Sequence, residues 1–376
     1  MIPFNKCSLT GLEERCMLDA LYKKQCGDGE YTKKVYELFE KKLNIRNMLL
    51  TTSCSTALDM TAMLADIKEG DEVILPSYTF VSTANAFVLR GAKPVFCEVN
   101  PDTMNIDESR IEELITEKSK AIYPVHYAGV LCNMDKILDI AKRHNLYVIE
   151  DAAQAVGSLY KGKYPAGTIG DMGAYSFHET KNYTMGEGGA LVVKDKELLK
   201  KAEIIREKGT DRSRFIRGEV DKYSWQSAGS SYLPSDILSA LLFAQTERFE
   251  EIMEKRLNVW NKYHKGLEAS EKDGFIKRPF IPDYSNHNAH MYYFLAENNE
   301  IRNDMLKYLK DKGIWAVFHY IPLHTSPMGE SFGYKKGDLP ITENIASRVI
   351  RLPMYADLTD AETEYIIEAV TKYYNK

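Results

Sequence analysis

The sequence predicts an α/β fold: a mostly parallel central sheet covered by helices, followed by a smaller C-terminal α+β domain. Three observations lead there. First, seven short apolar runs recur in the first two hundred residues: Met48-Leu49-Leu50, Val73-Ile74-Leu75, Pro94-Val95-Phe96, residues 121–125, Tyr147-Val148-Ile149, residues 174–177 and residues 190–193. Second, stretches with helical spacing separate them, at 55–67, 134–144 and 197–206. Third, the texture changes after about Pro234.

The runs are too short for helices, and several are rich in Val and Ile, as expected of strands buried on both faces. Strands that alternate with helices give a parallel sheet. Ligands of such sheets bind beyond the carboxyl ends of the strands. Beyond Pro234, residues 235–269 read as one long or kinked helix. A proline-containing stretch follows at 278–282, then strand candidates at 291–295 and 314–318, and amphipathic helices at 302–312 and 360–374. The expected division is a large domain over 1–244 and a small one over 245–376.

The 376 residues are 44% hydrophobic and 27% charged, with a net charge of −5. That balance suits a soluble globular protein and offers no basic surface for nucleic acid or a membrane. No apolar run is long enough for a transmembrane helix, and the first residues lack the layout of a signal peptide. The six cysteines are scattered without a CxxC pair, so free thiols and a cytoplasmic setting are expected. The eight histidines show no ligand spacing, and no metal site is expected.

One constellation carries chemistry. The run Tyr147-Val148-Ile149 ends in Glu150-Asp151-Ala152-Ala153-Gln154, and thirty residues after Asp151 stands Lys181, in Ser176-Phe177-His178-Glu179-Thr180-Lys181. Met185-Gly186-Glu187-Gly188-Gly189-Ala190 then leads into the next run. Asp151 alone fits a helix N-cap, and Lys181 alone fits a surface turn. Together they are what pyridoxal 5'-phosphate (PLP) needs: an amine to form a Schiff base, and a carboxylate to keep the ring nitrogen protonated.

Other segments gain meaning beside that pair. Residues 52–58 follow a strand and open a helix; their free N–H groups and small hydroxyls suit a phosphate, or a plain capping box. Residues 76–85 hold Tyr78 and Phe80, either core residues or aromatics that cover the cofactor ring. The basic stretch 206–217 fits a solvated loop or a diphosphate site. Residues 317–324 place His319 and Tyr320 at a strand end, in a structural role or against substrate.

These residues together resemble the DegT/DnrJ/EryC1/StrS family of sugar aminotransferases, over essentially the whole chain. The segments Glu150-Asp151-Ala152-Ala153-Gln154, 176–181 and 186–190 match its cofactor motifs in order and spacing. The resemblance implies a fold-type I PLP-dependent aminotransferase that moves an amino group from L-glutamate to a nucleotide-linked keto sugar, as a homodimer or larger assembly with active sites at the interface. It makes Lys181 the Schiff-base lysine and Asp151 the partner of the ring nitrogen, with Gln154 near the ring and Phe80 stacked on it. Ser55, Thr56 and Ser176 would hold the phosphate. Ser231 stands where many members place an asparagine that reaches the neighbouring subunit's phosphate. Tyr183, Arg212, His319 and Tyr320 are the expected substrate contacts. Relatives with histidine in place of the lysine run dehydrations, which Lys181 excludes. A non-catalytic regulator of the same fold would not need both Lys181 and Asp151.

Overall fold

The computed structural model of the chain describes residues 1–23 and 25–374. All seven predicted runs are strands of one sheet: β1 (Met48–Thr51), β2 (Glu72–Pro76), β3 (Lys93–Cys97), β4 (Ser119–Ile122), β5 (Tyr147–Asp151), β6 (Met172–Ser176) and β7 (Gly189–Val193). Their spatial order is β1-β7-β6-β5-β4-β2-β3. Only β7 runs antiparallel to its neighbours. The carboxyl ends of the other six therefore open on one edge, where ligands of such sheets bind.

Alternation along the strands feeds two cores. Leu50, Ile74, Ile122 and Val148 face helices Glu30–Leu43 and Met134–His144 through Phe39 and Ile137. Leu49, Val73, Leu75, Ala121 and Ile149 face helices Cys54–Leu64 and Val81–Val88 through Leu58 and Phe87. Helices on both faces explain why the strands read as unbroken apolar runs rather than as alternating ones.

The second sheet is antiparallel and three-stranded, in the order β8 (Ile276–Lys277), β9 (Tyr292–Ala296) and β10 (Val349–Leu352). Its core joins Phe294 and Ile350 to Trp260, Tyr263, Leu309 and Ile366. The start of the chain packs here too: Ile2 N–H donates to Gly313 O (2.7 Å), and Trp315 N–H donates to Ile2 O (3.0 Å). Helix Phe249–Gly266 begins against the large core at Phe249 and Ile252 and continues into the small one at Val259 and Tyr263. The division of the chain at 244/245 stays a proposal.

Two expectations need correction. The helix expected over 235–269 is three: Asp236–Glu247, Phe249–Gly266 and Glu268–Lys272. It breaks where Arg248 N–H reaches back to Gln245 O, three residues away, and tightens the turn. Residues 314–318 form no strand. Ile314 bridges Ile2, and Val317 bridges Arg351, but Phe318 O accepts from the Arg351 guanidinium rather than from a backbone ladder. The third strand of the small sheet is instead β10, a four-residue run interrupted by Arg351 that carried no period.

Candidate active site

Asp151 is the last residue of β5, and its side chain points to the face covered by helix Val81–Val88. Its Oδ2 accepts from Thr83 Oγ1–H at 2.7 Å, and its Oδ1 accepts from Ala153 N–H at 3.1 Å. Thr83 is fully buried and sits 2.8 Å from the hydroxyl of Thr79. Two donors leave the carboxylate with spare acceptor capacity, and it lines an open cleft of about 470 Å³.

Lys181 lines the same cleft, on the turn after β6, where its N–H donates to His178 O at 2.9 Å. Burial lowers its pKa below the ordinary value, and the positive charge of Arg351 adds to this; Cys54 and Asp151 pull the other way. The amine is thus easier to hold neutral, as a nucleophile or base must be. Cys54 lines the same cleft, its thiol pushed well up by burial and by the charge of Asp151, so it stays protonated.

The end of β1 runs into helix Cys54–Leu64, capped by Ser53. Ser53 Oγ accepts from Thr56 N–H, while Thr56 Oγ1 accepts from Ser53 N–H at 3.1 Å and donates to Ser53 O at 2.8 Å. This corrects the expectation for Thr56: its hydroxyl is consumed by the capping box, and it does not line the cleft. Ser53, Cys54 and Ser55 do, as does Ser82, whose hydroxyl lies 2.6 Å from that of Ser55. A Cβ at Gly189 would run into the Cys54 amide and the Ser53 carbonyl, so glycine there lets β7 pass close beneath this helix start. Ser176 closes the cradle from the end of β6.

The outer wall is aromatic. Phe80 is 55% exposed, lines the cleft, and lies 6.2 Å from the ring of Tyr320. Tyr320 stacks on His319 at 3.6 Å and accepts from Gln154 Nε2–H at 2.9 Å. Gln154 Oε1 in turn accepts from Ala128 N–H at 2.7 Å. Gln154 thus holds Tyr320 in place. His319 Nδ1 pairs with Tyr127 OH at 2.8 Å. Burial lowers the pKa of His319 and of His290 well below the usual value, helped by the charges of Arg351 and Lys181, so both rings are neutral.

Besides Thr56, three expected residues lie outside this cleft. The placement of Tyr183 corrects its expected substrate role: it is 1% exposed, its ring stacks on Phe249 at 4.5 Å, and its hydroxyl donates to Phe249 O. It is a core residue that seats the lysine turn on helix Phe249–Gly266. Arg212 pairs with Glu207 at 2.8 Å and does not reach the cleft of its own chain. Ser231 is exposed and also lies away from that cleft. Conversely, the structure brings in His290, Arg351, Thr83 and the N-terminal Phe4 and Asn5, which sequence reasoning did not single out. Thr83 lay inside the 76–85 motif; the others carry no local signal. Among the described residues no cluster of metal-ligating side chains occurs, and no helix is long and apolar enough to cross a membrane.

The residues present fit PLP: Lys181 would supply the amine, Asp151 a carboxylate oxygen for the ring nitrogen, Phe80 a ring face, and Ser55 with Ser176 and the first helical amides a phosphate seat. Fold and site together define a PLP-dependent aminotransferase of fold type I. The chain belongs to the DegT/DnrJ/EryC1/StrS aminotransferase family, which it matches over residues 10–371. It is 35% identical to the spore coat polysaccharide biosynthesis protein SpsC of Bacillus subtilis, over 88% of this chain and 87% of that one. It is 32% identical to the GDP-perosamine synthase of Escherichia coli O157:H7, over 100% of this chain and 99% of that one. Among solved structures, a candidate sugar aminotransferase of Streptococcus pneumoniae in its PMP form superposes with a TM-score of 0.91 at 26% identity, covering 98% of both chains.

Proposed function

We propose that the enzyme transfers the amino group of L-glutamate to C4 of dTDP-4-dehydro-6-deoxy-D-glucose, giving dTDP-4-amino-4,6-dideoxy-D-galactose. The observation that carries the reaction type is the convergence of Lys181 and Asp151 on one cleft roofed by Phe80, His319 and Tyr320. The acceptor rests on likeness, in residues 76–93, 124–130, 177–184 and 317–324, to the transaminase that makes this amino sugar for enterobacterial common antigen. The 76–93 and 317–324 segments supply the Phe80 and Tyr320 walls of the cleft.

Bound PLP supplies an aldehyde carbon that takes up the amino group and a ring that takes up electrons. Asp151 holds the proton on the ring nitrogen through its free carboxylate edge. Lys181 would hold PLP through its amine. The freed Nζ, kept neutral by burial, then acts as general base toward the Cα proton of the donor. Gln154 and the neutral His319 fix the ring of Tyr320 over the reaction volume. The donor product leaves before the keto sugar enters, so ping-pong kinetics are expected. We further propose a homodimer or larger assembly in which the largely exposed 212–231 segment, with Arg212 and Ser231, serves the neighbouring site.

A second reading, a GDP-linked acceptor, is favoured by the likeness to GDP-perosamine synthases, the Caulobacter vibrioides enzyme included at 34% identity. Amination at C3, or to the gluco epimer, is the remaining alternative. A coupled assay with dTDP- and GDP-linked 4-keto sugars, followed by product NMR, separates them. A small H3–H4 coupling from the dTDP substrate marks an axial amine and the galacto product; a large coupling, or turnover of the GDP substrate alone, overturns the proposal.

A further inference from the structure

The lysine turn is gripped from behind. Asn182, the residue after Lys181, is buried, and both ends of its amide are taken by one short segment, 288–290, that leads into β9. Its Nδ2–H donates to Asn288 O at 2.9 Å, and its Oδ1 lies 3.0 Å from His290 Nδ1. A carbonyl can only accept, so Nδ2 must face Asn288 and Oδ1 must face the ring. His290 Nδ1 therefore carries the proton, and the neutral ring keeps its lone pair on Nε2.

That segment is itself held from every side. Asn288 Nδ2–H donates to the carbonyls of Gln154 and Val156, both at 2.9 Å, and Asn288 Oδ1 accepts from His290 N–H at 3.0 Å. Gly129 packs so close that a Cβ there would lie 1.9 Å from this Oδ1. Ala289 is fixed at φ 48°, a left-handed conformation that disfavours any residue with a Cβ. Arg256 is buried and has no carboxylate partner among the described residues. Its guanidinium instead donates to the carbonyls of Ala289, at 3.1 Å, and His290, at 2.5 Å. A strained φ and a buried cation persist only where their surroundings outweigh them, and such features gather where a site needs a fixed geometry. The point fixed here is Asn182, one peptide bond from the lysine.

We infer that Asn182 is the positioning residue for Lys181, and that His290 acts on the lysine through it, by its Nδ1–H, rather than on a ligand through Nε2. With both ends of the Asn182 amide fixed, the root of the lysine chain keeps its place while Nζ exchanges between holding PLP and taking a proton. A displacement of about 1 Å at such a group costs about 100-fold in rate. This placement rests on the proposed role of Lys181 and not on the identity of donor or sugar.

The test compares how tightly the cofactor-free enzyme binds PLP, whose aldehyde needs a placed amine, and pyridoxamine 5'-phosphate, which shares the ring and phosphate but has no aldehyde. Both are titrated by calorimetry. The wild type prefers PLP, and Lys181→Ala sets the floor of that preference. In Asn182→Ala the preference falls by about tenfold with pyridoxamine 5'-phosphate affinity unchanged, and the L-glutamate half-reaction of the PLP-loaded enzyme slows by about 100-fold at unchanged KM. Asn182→Ser, too short to bridge both partners, provides the test if the alanine variant does not fold. His290→Ala reproduces the shift, and His290→Asn, whose amide nitrogen can stand near the place of Nδ1, restores most of it. Equal losses of both affinities, a preference unmoved and above the Lys181→Ala floor, or an asparagine at 290 no better than alanine overturns the inference. A wild-type preference no higher than that floor sinks the reading of Lys181 itself, and the inference with it.

Discussion

Glu150 and Asp151 are adjacent carboxylates at the end of one strand, and they lead opposite lives. Glu150 points to the underside of the sheet and is fully buried. His126 Nε2–H donates to it at 2.8 Å; that tautomer follows because His126 Nδ1 accepts from Cys132 N–H. The backbone N–H groups of Gly167, Ile169 and Gly170 supply three more bonds at 2.7–2.8 Å. Every strong acceptor direction is used, so Glu150 ties the 167–170 turn to the sheet and has nothing left for a ligand. Asp151 has two donors and faces a cleft. A saturated carboxylate builds the fold; a carboxylate kept partly free by the same fold is available for chemistry.

Removing the cleft-side amine gives the largest effect. Lys181→Ala should abolish turnover, because no other amine lines the cleft among the described residues; residual activity above a few per cent would mean that the lysine is misassigned. Asp151→Asn should fold normally and lose about 100- to 1,000-fold in kcat, since a neutral amide cannot hold the ring proton. Near-normal rates in that variant would erase the distinction between the two carboxylates.

Glu150→Gln should behave in the opposite way. One carboxylate oxygen becomes an NH2 facing an existing donor, at a cost of about 1–3 kcal/mol of stability. Thermal melts should drop while kcat per folded site stays within a factor of about three; a selective loss of kcat without loss of stability would assign Glu150 to catalysis. Thr83→Val removes one of the two donors to Asp151 and should cost about tenfold in kcat with little change in melting temperature. An unchanged rate would show that Ala153 N–H alone positions the carboxylate.

The smallest effect is in pH. Burial lowers the pKa of Lys181, so between that lowered value and the ordinary 10.5 the unfolded chain binds a proton that the cofactor-free folded chain does not. Stability of the PLP-free protein then rises with pH through this window. Lys181→Met should remove this dependence and melt higher than the wild type at neutral pH, with the gap closing as pH approaches the upper limit. A gap independent of pH would mean that the amine is protonated in the fold.

The strands, the order of sheet and helices, and the Asp151–Lys181 pair were legible in the sequence because each is a local signal: an apolar run of fixed length, a carboxylate at a run's end, a lysine beside glycines. The small sheet was less so. β10 is four residues long with a charge in the middle, and residues 314–318 had the composition of a strand without its ladder.

Within the site, sequence by itself determined which residue types stand at the strand ends, and hence the cofactor chemistry. Only the tertiary structure decided which of them face it. Thr56 turned into its own cap, Tyr183 sank against Phe249, and Gln154 bonded Tyr320 from 166 residues away. Arg351 and His290 entered the cleft from the small sheet and the segment before it. Direction and partnership are set by which segments meet when the two cores close on each other, and that closure leaves no periodic mark in the chain.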